Sequence, residues 1–301
     1  MVTAPLAPVR VGIENVLIAT DFSRYSNAAL EYGLQLSKDY QASAYVVSVL
    51  PTNDFLMAGP DAYLAAKEAA LRDLAQLKSD LKDEHAYAEG KDYHLYLLEG
   101  EVAQAILNFA QQKQADVIVV GTHGRGGLGK ALMGSVAERV FRSSTVPVLT
   151  LGPGLRSVRH SRPAKTIMVA ADLTRASEQA VAYAASLARE HNAKLTTVHV
   201  LHDMPSKELE RAKAVQVVKT RLAELLGREA QGVRCSLQVE SGRIVPMILE
   251  AAEEANADLL VIGVRPSSGV LDRVMFPHAY QIVCESPCPV LTLREKPAEH
   301  D

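Results

Sequence analysis

Glu14-Asn-Val-Leu-Ile-Ala-Thr-Asp21 is echoed by Lys165-Thr-Ile-Met-Val-Ala-Ala-Asp172. Outward from this pair, Asp116-Val-Ile-Val-Val-Gly121 is echoed by Asp258-Leu-Leu-Val-Ile-Gly263, and Val146-Pro-Val-Leu-Thr-Leu151 by Cys288-Pro-Val-Leu-Thr-Leu293. The order is the same both times. Self-similarity of this kind marks a repeated structural unit. Two similar domains of about 140 residues each are therefore expected, over residues 1–152 and 164–301. Residues 153–163 read as the linker, because Gly, Pro and Arg there break regular structure and stay solvated.

Within the first repeat, Val16–Ala19, Ser43–Leu50, His94–Leu98, Asp116–Val120 and Val146–Leu151 read as strands. Several are apolar on both faces, as parallel strands covered by helices are. Between them, Val102, Ile106 and Phe109 fall on one helical face, and Leu64, Leu71, Leu74 and Leu81 form a longer stripe over Asp61–Glu84. Strand–helix alternation predicts an α/β fold. Each repeat is an open doubly wound domain with a five-stranded, mainly parallel sheet flanked by helices. Ligands of such sheets bind beyond the carboxyl ends of the strands, at the topological switch point.

Composition narrows the functions. The chain has 301 residues, 48% hydrophobic and 22% charged, with a formal net charge of −3. That balance disfavours nucleic acid, whose binding rests on neutralised phosphates. There is no Trp, and aromatics make up only 5%, so a stacking platform for single strands is not expected. Cys235, Cys284 and Cys288 are too few for a disulfide framework and suit a reducing compartment. The N-terminus MVTAPLAPVR has no apolar h-region, and no uninterrupted apolar stretch reaches the length of a membrane span. A cytoplasmic protein that contacts no membrane is the expectation.

The segment after Asp116–Val120 is glycine-dense: Gly121-Thr-His123-Gly124-Arg125-Gly-Gly-Leu-Gly129-Lys130-Ala-Leu-Met-Gly134-Ser135-Val136. Glycine allows positive φ and close approach of backbone to ligand. A helix is expected to start at Ser135, with Ser135 as its N-cap and its free amides as an anion site. Arg125 and Lys130 add local positive charge, and His123 is a further candidate phosphate donor. The plainer alternative is a flexible turn plus a helix cap. Gly124-x-Gly-x-x-Gly129 is a weak match to a dinucleotide loop, since it follows a late strand and lacks the acidic ribose ligand. Gly124-x4-Gly129-Lys130 begins a P-loop, but Ala131 then offers no hydroxyl for magnesium.

A third template, G-x2-G-x9-G-[S/T], is filled without a gap by Gly121, Gly124, Gly134 and Ser135. With Thr20-Asp21-Phe-Ser23 after the first strand, the Val-Val-Ser-Val49-Leu end of the second and Val-Pro-Val-Leu at the last, it resembles the universal stress protein family. The resemblance covers both repeats and suggests a tandem member. It implies ATP, with Mg, as the ligand of the first repeat. Thr20 and Asp21 would approach the adenosine, the Val49 backbone the adenine, and Gly121 the ribose. Gly124, Gly134, Ser135 and Val136 would hold the phosphates, with His123 and Arg125 beside them. Asp21 is also placed to stabilise a helix dipole, and both roles are compatible.

The second loop, Gly263-Val-Arg-Pro266 through Phe276-Pro277-His278, has lost this chemistry. Pro266 cannot take positive φ, Phe276 puts a ring where a phosphate should approach, and Pro277 supplies neither hydroxyl nor N–H. Only the first repeat is expected to bind ATP. His199, His202 and Asp203 match no strong metal template, and no metal ligand is assigned. No general base faces a γ-phosphate, so no catalytic residue is assigned. The expected function is a nucleotide-dependent stress-response regulator or sensor. A slow ATPase or phosphoryl- or adenylyl-transfer enzyme, and a nucleotide-independent interaction scaffold with a protein partner, stand as alternatives. Apolar last strands invite pairing, so a pseudo-dimer within the chain is expected, with a homodimer of whole chains as a further option.

Overall fold

The architecture follows from strands that are apolar on both faces. The protein, described by a computed structural model, has residues 12–52, 59–122, 133–155, 164–202, 204, 206–265 and 277–295 in describable positions. It forms two compact units. In the first, chain order is β1 (Asn15–Ala19), α1 (Arg24–Tyr40), β2 (Ser43–Pro51), α2 (Pro60–His85), β3 (His94–Gly100), α3 (Val102–Gln112), β4 (Val117–Gly121), α4 (Ser135–Ser143) and β5 (Val148–Leu151). The second repeats this as β6 (Thr166–Ala170), α5 (Arg175–Glu190), β7 (Lys194–Leu201), α6 (Glu208–Glu229), β8 (Arg234–Ser241), α7 (Ile244–Glu254), β9 (Leu259–Val264), α8 (Pro277–Glu285) and β10 (Val290–Arg294).

The first unit's strands run β3-β2-β1-β4-β5 and the second's β10-β9-β6-β7-β8. Every pairing within each unit is parallel. In the first, Ile18 is level with Val46 on one side and Val119 on the other. In the second, Met168 is level with Thr196 and Leu260. The strand order reverses at β1–β4 and again at β6–β9, so those are the switch points. Adjacent residues Leu17 and Ile18 point to opposite faces, yet both are fully buried. Helices must therefore cover both faces, as a parallel sheet requires. α1 packs on β1 and β4, and α3 packs on β2 and β3 and against α4.

Strand ends differ from the sequence reading by one or two residues. β4 begins at Val117 rather than Asp116. The Asp116 side chain accepts the Glu14 and Asn15 amides at 2.7 and 2.8 Å instead of joining the ladder. β5 begins at Val148, after Pro147, whose ring leaves no amide to donate. β3 runs on through Glu99 and Gly100, which pair with Leu50 and Pro51. The leucine stripe of α2 is buried only in part. Leu74 and Leu81 enter the core, whereas Leu64 and Leu71 are 55% and 50% exposed. On a helix of 3.6 residues per turn these two pairs point roughly 60–100° apart. No helix among the described residues is long and apolar enough to cross a membrane.

Two glycines make opposite predictions. A Cβ on Gly263 would lie 2.2 Å from the Ala176 carbonyl oxygen and 2.8 Å from the Ser177 amide. Gly263→Ala must push the first turn of α5 off β9, and a loss of about 2–3 kcal/mol is expected in urea unfolding. Gly227, inside α6, has nothing within 4 Å of its virtual Cβ. Gly227→Ala should instead stabilise by about 0.5–1 kcal/mol, the helix-propensity gain.

Candidate functional site

In the first unit, parallel pairing brings the carboxyl ends of β2, β1 and β4 side by side. Since Ile18 faces Val119, continuing the register puts Thr20 level with Gly121. Thr20 leaves the strand with its amide still donating to the Val47 carbonyl at 2.9 Å. The turn into α1 is then fixed by side chains. The Thr20 hydroxyl accepts the Phe22 amide at 3.0 Å, and Asp21 Oδ1 accepts the Ser23 amide at 3.1 Å. Ser23 caps α1 by accepting the Ser26 amide. The Ser26 hydroxyl lies 3.1 Å from that of Thr20, accepts the Asp21 amide at 3.3 Å and donates to the Ser23 carbonyl at 3.0 Å. Within this network Phe22 holds φ 62°, a left-handed conformation that costs a bulky residue about 1 kcal/mol. Such strain persists where surrounding bonds over-determine it. The half-buried Asp21 is thereby held at the switch point.

On the neighbouring strand, β4 ends at Gly121, Thr122 follows it, and α4 begins at Ser135. Thr122 is fully buried, and both its amide and its hydroxyl donate to the Leu151 carbonyl, at 2.9 and 3.3 Å. Its own carbonyl accepts the Gly134 amide at 2.8 Å. That bond returns the chain to the end of β4 and starts α4 there. The N-cap is Gly134, with φ −61° and ψ 147°, and Ser135 is the first helical residue. This corrects the expectation that Ser135 is the cap. Gly134 has no side chain, so no side-chain oxygen caps the helix, unlike α1, α3 and α5. A helix start without such a cap offers amides and a positive dipole end to an anion. Val49 is half-buried near the end of β2, the strand paired with β1. His123, Gly124 and Arg125 lie outside the described residues.

Sequence reading missed Ser26 and Thr122. Ser26 was findable, because Ser177 occupies the matching place and likewise donates to the cap residue's carbonyl, Thr174, at 2.9 Å. Thr122 has no such echo, since Val264 follows the matching glycine. The close contact at Gly263 also shows that helix packing alone demands glycine at the strand end in the second unit. Glycine at that place is a weaker ligand signal than the motif suggests.

The second unit keeps the turn and changes the chemistry. Leu173 repeats the φ of 62°, and Thr174 caps α5. Ala171 stands where Thr20 stands, and its carbonyl lies 2.6 Å from His199 Nδ1. A carbonyl can only accept, so Nδ1 carries the proton. Asp172 Oδ1 accepts the Thr174 amide at 3.0 Å and its hydroxyl at 2.5 Å. Burial pushes this carboxyl's pKa up, but hydrogen bonds from Thr174 and Ser177 and the charge of Arg265 outweigh it, and the pKa is lowered from 3.8. Pro277 opens α8, so that helix start lacks one amide. Pro266 and Phe276 lie outside the described residues.

Other candidates carry less. His202 Nδ1 is 3.4 Å from the Gly242 carbonyl, and Asp203 lies outside the described residues. No group of three or more His, Cys, Asp or Glu among the described residues could hold a metal ion. Cys284 and Cys288 are buried, and burial is the main cause that pushes the Cys288 thiol up to about 11.

The lowered pKa of Asp172 gives a pH prediction. Its folded pKa lies below the unfolded value, so its contribution to stability is full above about pH 4 and is lost as pH falls through the folded pKa. Asp172→Asn should be less stable than wild type at pH 7. The gap between their urea midpoints should close as pH drops below about 4. An unchanged gap at pH 2 would contradict the assignment.

A profile of the universal stress protein family matches residues 12–151 and again 163–294. The universal stress protein MJ0531 of Methanocaldococcus jannaschii is 32% identical over 138 residues, 46% of this chain and 81% of that protein. A universal stress protein of Mycolicibacterium smegmatis is 23% identical over 294 residues, covering 93% of this chain and 97% of that one. In fold, the chain matches a universal stress protein structure from Archaeoglobus fulgidus with TM-score 0.69 at 22% identity, over 94% of this chain and 98% of that one. The chain belongs to the universal stress protein family, and its sequence carries the family's unit twice.

Proposed function

We propose that the first unit binds an adenine nucleotide, ATP with Mg, and that the protein acts as a nucleotide-dependent regulator of the stress response in the cytoplasm. The observation that carries this reading is the start of α4. A helix capped by a residue without a side chain is drawn by the Gly134–Thr122 bond to the end of β4, beside the strand that leads into Asp21. Amides of the first turn of α4 suit phosphate oxygens. Asp21 and the backbone near Val49 suit the ribose and the base. Magnesium binds through phosphate oxygens and retained waters, and needs few protein carboxylates. The bound nucleotide would supply a polyanion whose presence the protein reports. The residues of this chain bind and orient it, and none is assigned a proton-transfer role.

The second unit takes no part in this binding. Ala171 removes the Thr20 hydroxyl, His199 holds the Ala171 carbonyl, and Pro277 removes an amide from the helix start. Calorimetric titration of nucleotide-free protein with ATP and magnesium should therefore give one site per chain. Gly134→Val, which puts a branched side chain at the helix start, should weaken binding at least about tenfold, or 1.4 kcal/mol. Absence of binding would overturn the proposal, and two sites per chain would overturn the assignment to the first unit.

A further inference from the structure

The second unit's sheet ends in an open edge. β8 pairs with β7 along its whole length and has no other strand neighbour among the described residues. An edge strand presents a row of unpaired N–H and C=O groups, a template for a further strand. Proteins commonly blunt such an edge with charge, proline or a bulge. Between Arg234 and Glu240 the sequence is Cys-Ser-Leu-Gln-Val, with neither charge nor proline. Leu237 and Val239 in this stretch are only half-buried. The first unit's edge is guarded. Glu89 bridges to Tyr93 just before β3, and Glu99 near its far end is held by Lys67 and Tyr63, each at 2.8 Å.

A second feature accompanies the open edge. A shallow groove of about 520 Å³ is lined by Gln216, Lys219, Thr220, Ala223 and Glu224 of α6 and by Leu237 of β8. The five helix residues are all exposed, and Val217 beside them is 60% exposed. Side chains alternate along a strand. Cys235, Leu237 and Val239 therefore share the α6 face of the sheet, and Arg234, Ser236, Gln238 and Glu240 share the other.

The sequence of β8 matches its own copy. Two identical strands related by a two-fold axis within one sheet run antiparallel, and residue i meets j where j meets i. Directly opposed residues share a face, so the axis must pass between one residue and its own copy. With the axis at Leu237, Leu237 meets the partner's Leu237, Cys235 meets the partner's Val239, and Arg234 meets the partner's Glu240. An axis at Ser236 would set Arg234 against the partner's Gln238, and one at Gln238 would set it against the partner's Gly242. Only the Leu237 register pairs the opposite charges, and it does so twice. Within one chain, Arg234 donates to the Asn192 carbonyl at 3.0 Å, and neither Arg234 nor Glu240 has an ion-pair partner among the described residues.

The geometry points to β8 as a homodimer surface: two copies of the chain join antiparallel at β8, centred on Leu237, and their second units share one sheet. An antiparallel strand at the edge of a parallel sheet is a common arrangement. The contact is about 23 Å of strand, so the dimer forms reversibly and depends on concentration. This assignment is independent of nucleotide binding.

Sedimentation velocity of the full chain over a dilution series should show a monomer–dimer equilibrium. Glu240→Arg, which sets like charges opposite each other, should weaken the dimer about tenfold, and adding Arg234→Glu should restore it to within about twofold. Opposed Cα atoms in such a pair lie about 4.5–5.5 Å apart, within reach of a disulfide. Val239→Cys should therefore give a covalent dimer with the partner's Cys235 under mild oxidation, and Cys235→Ser in that background should abolish it. The unsubstituted chain should not crosslink, because the two Cys235 residues stand four positions, about 13 Å, apart along the strands, and Cys284 and Cys288 are buried. A monomer at every concentration, a dimer unmoved by Glu240→Arg, or no covalent dimer from Val239→Cys would each overturn the assignment. The cysteine variant remains informative if Glu240→Arg fails to fold.

Discussion

The carboxylate of Asp116 holds the junction on which the first unit depends. It accepts the amides of Glu14 and Asn15, while its own amide donates back to the Asn15 carbonyl at 2.8 Å. Asp258 does the same for Lys165 and Thr166, at 2.8 and 2.9 Å, and its amide returns to the Thr166 carbonyl. Each clamp sits at the amino end of the switch-point pair, β1 with β4 or β6 with β9. Backbone amides entering a buried strand need an acceptor there, since the parallel ladder has not yet begun. A carboxylate that takes two of them sets the register, and the register sets which residues meet at the far end. The level placement of Thr20 with Gly121 is a consequence of the clamp five residues earlier.

Much of this was legible in the sequence, because the chain states it twice. Apolar runs such as Val117–Val120 and Leu259–Ile262 could only be strands covered on both faces, and that fixes parallel pairing and crossover helices. The repeat also carries the clamp. Aspartate precedes the fourth strand in both copies, yet Asp116 reads as the first strand residue until the amides it serves are seen. Ser26 escaped for a similar reason. Its role exists only once the turn places its hydroxyl among Thr20, Asp21 and Ser23. Boundaries shifted where a local rule competes with the pattern, as Pro147 does at β5. The leucine stripe of α2 misled because its two pairs point roughly 60–100° apart, and only Leu74 and Leu81 reach the core.

The candidate site was legible in its parts and less so in its logic. The glycine pattern points to a loop, but the structure gives two different reasons for glycine. Gly263 is glycine because α5 approaches within contact of β9. Gly134 is the cap of a helix start with no side-chain oxygen. The two units thus separate scaffold from chemistry. Both keep the clamp, the left-handed residue at the turn and the hydroxyl cap of the first helix. They differ where a ligand would lie: Thr20 against Ala171, Ser48 against His199, and Ser135 against Pro277. In the second unit the Ala171 carbonyl already has a partner, and Asp172 is satisfied by Thr174 and Ser177 near the charge of Arg265. Without the Thr20 hydroxyl and with one amide fewer at the helix start, the second unit has fewer donors to offer a polyanion.

The central claim is that the start of α4, and not that of α8, is an anion site at the switch point. Amide chemical-shift mapping by TROSY NMR on the full chain tests it most directly. On addition of ATP and magnesium, the amides of Ser135, Val136 and Ala137 should move downfield, as amides do when they donate to phosphate oxygens, with Asp21 and Val49 shifting beside them. His278 and Ala279 should not move. Shifts confined to the second unit, or none at Ser135 and Val136, would contradict the account.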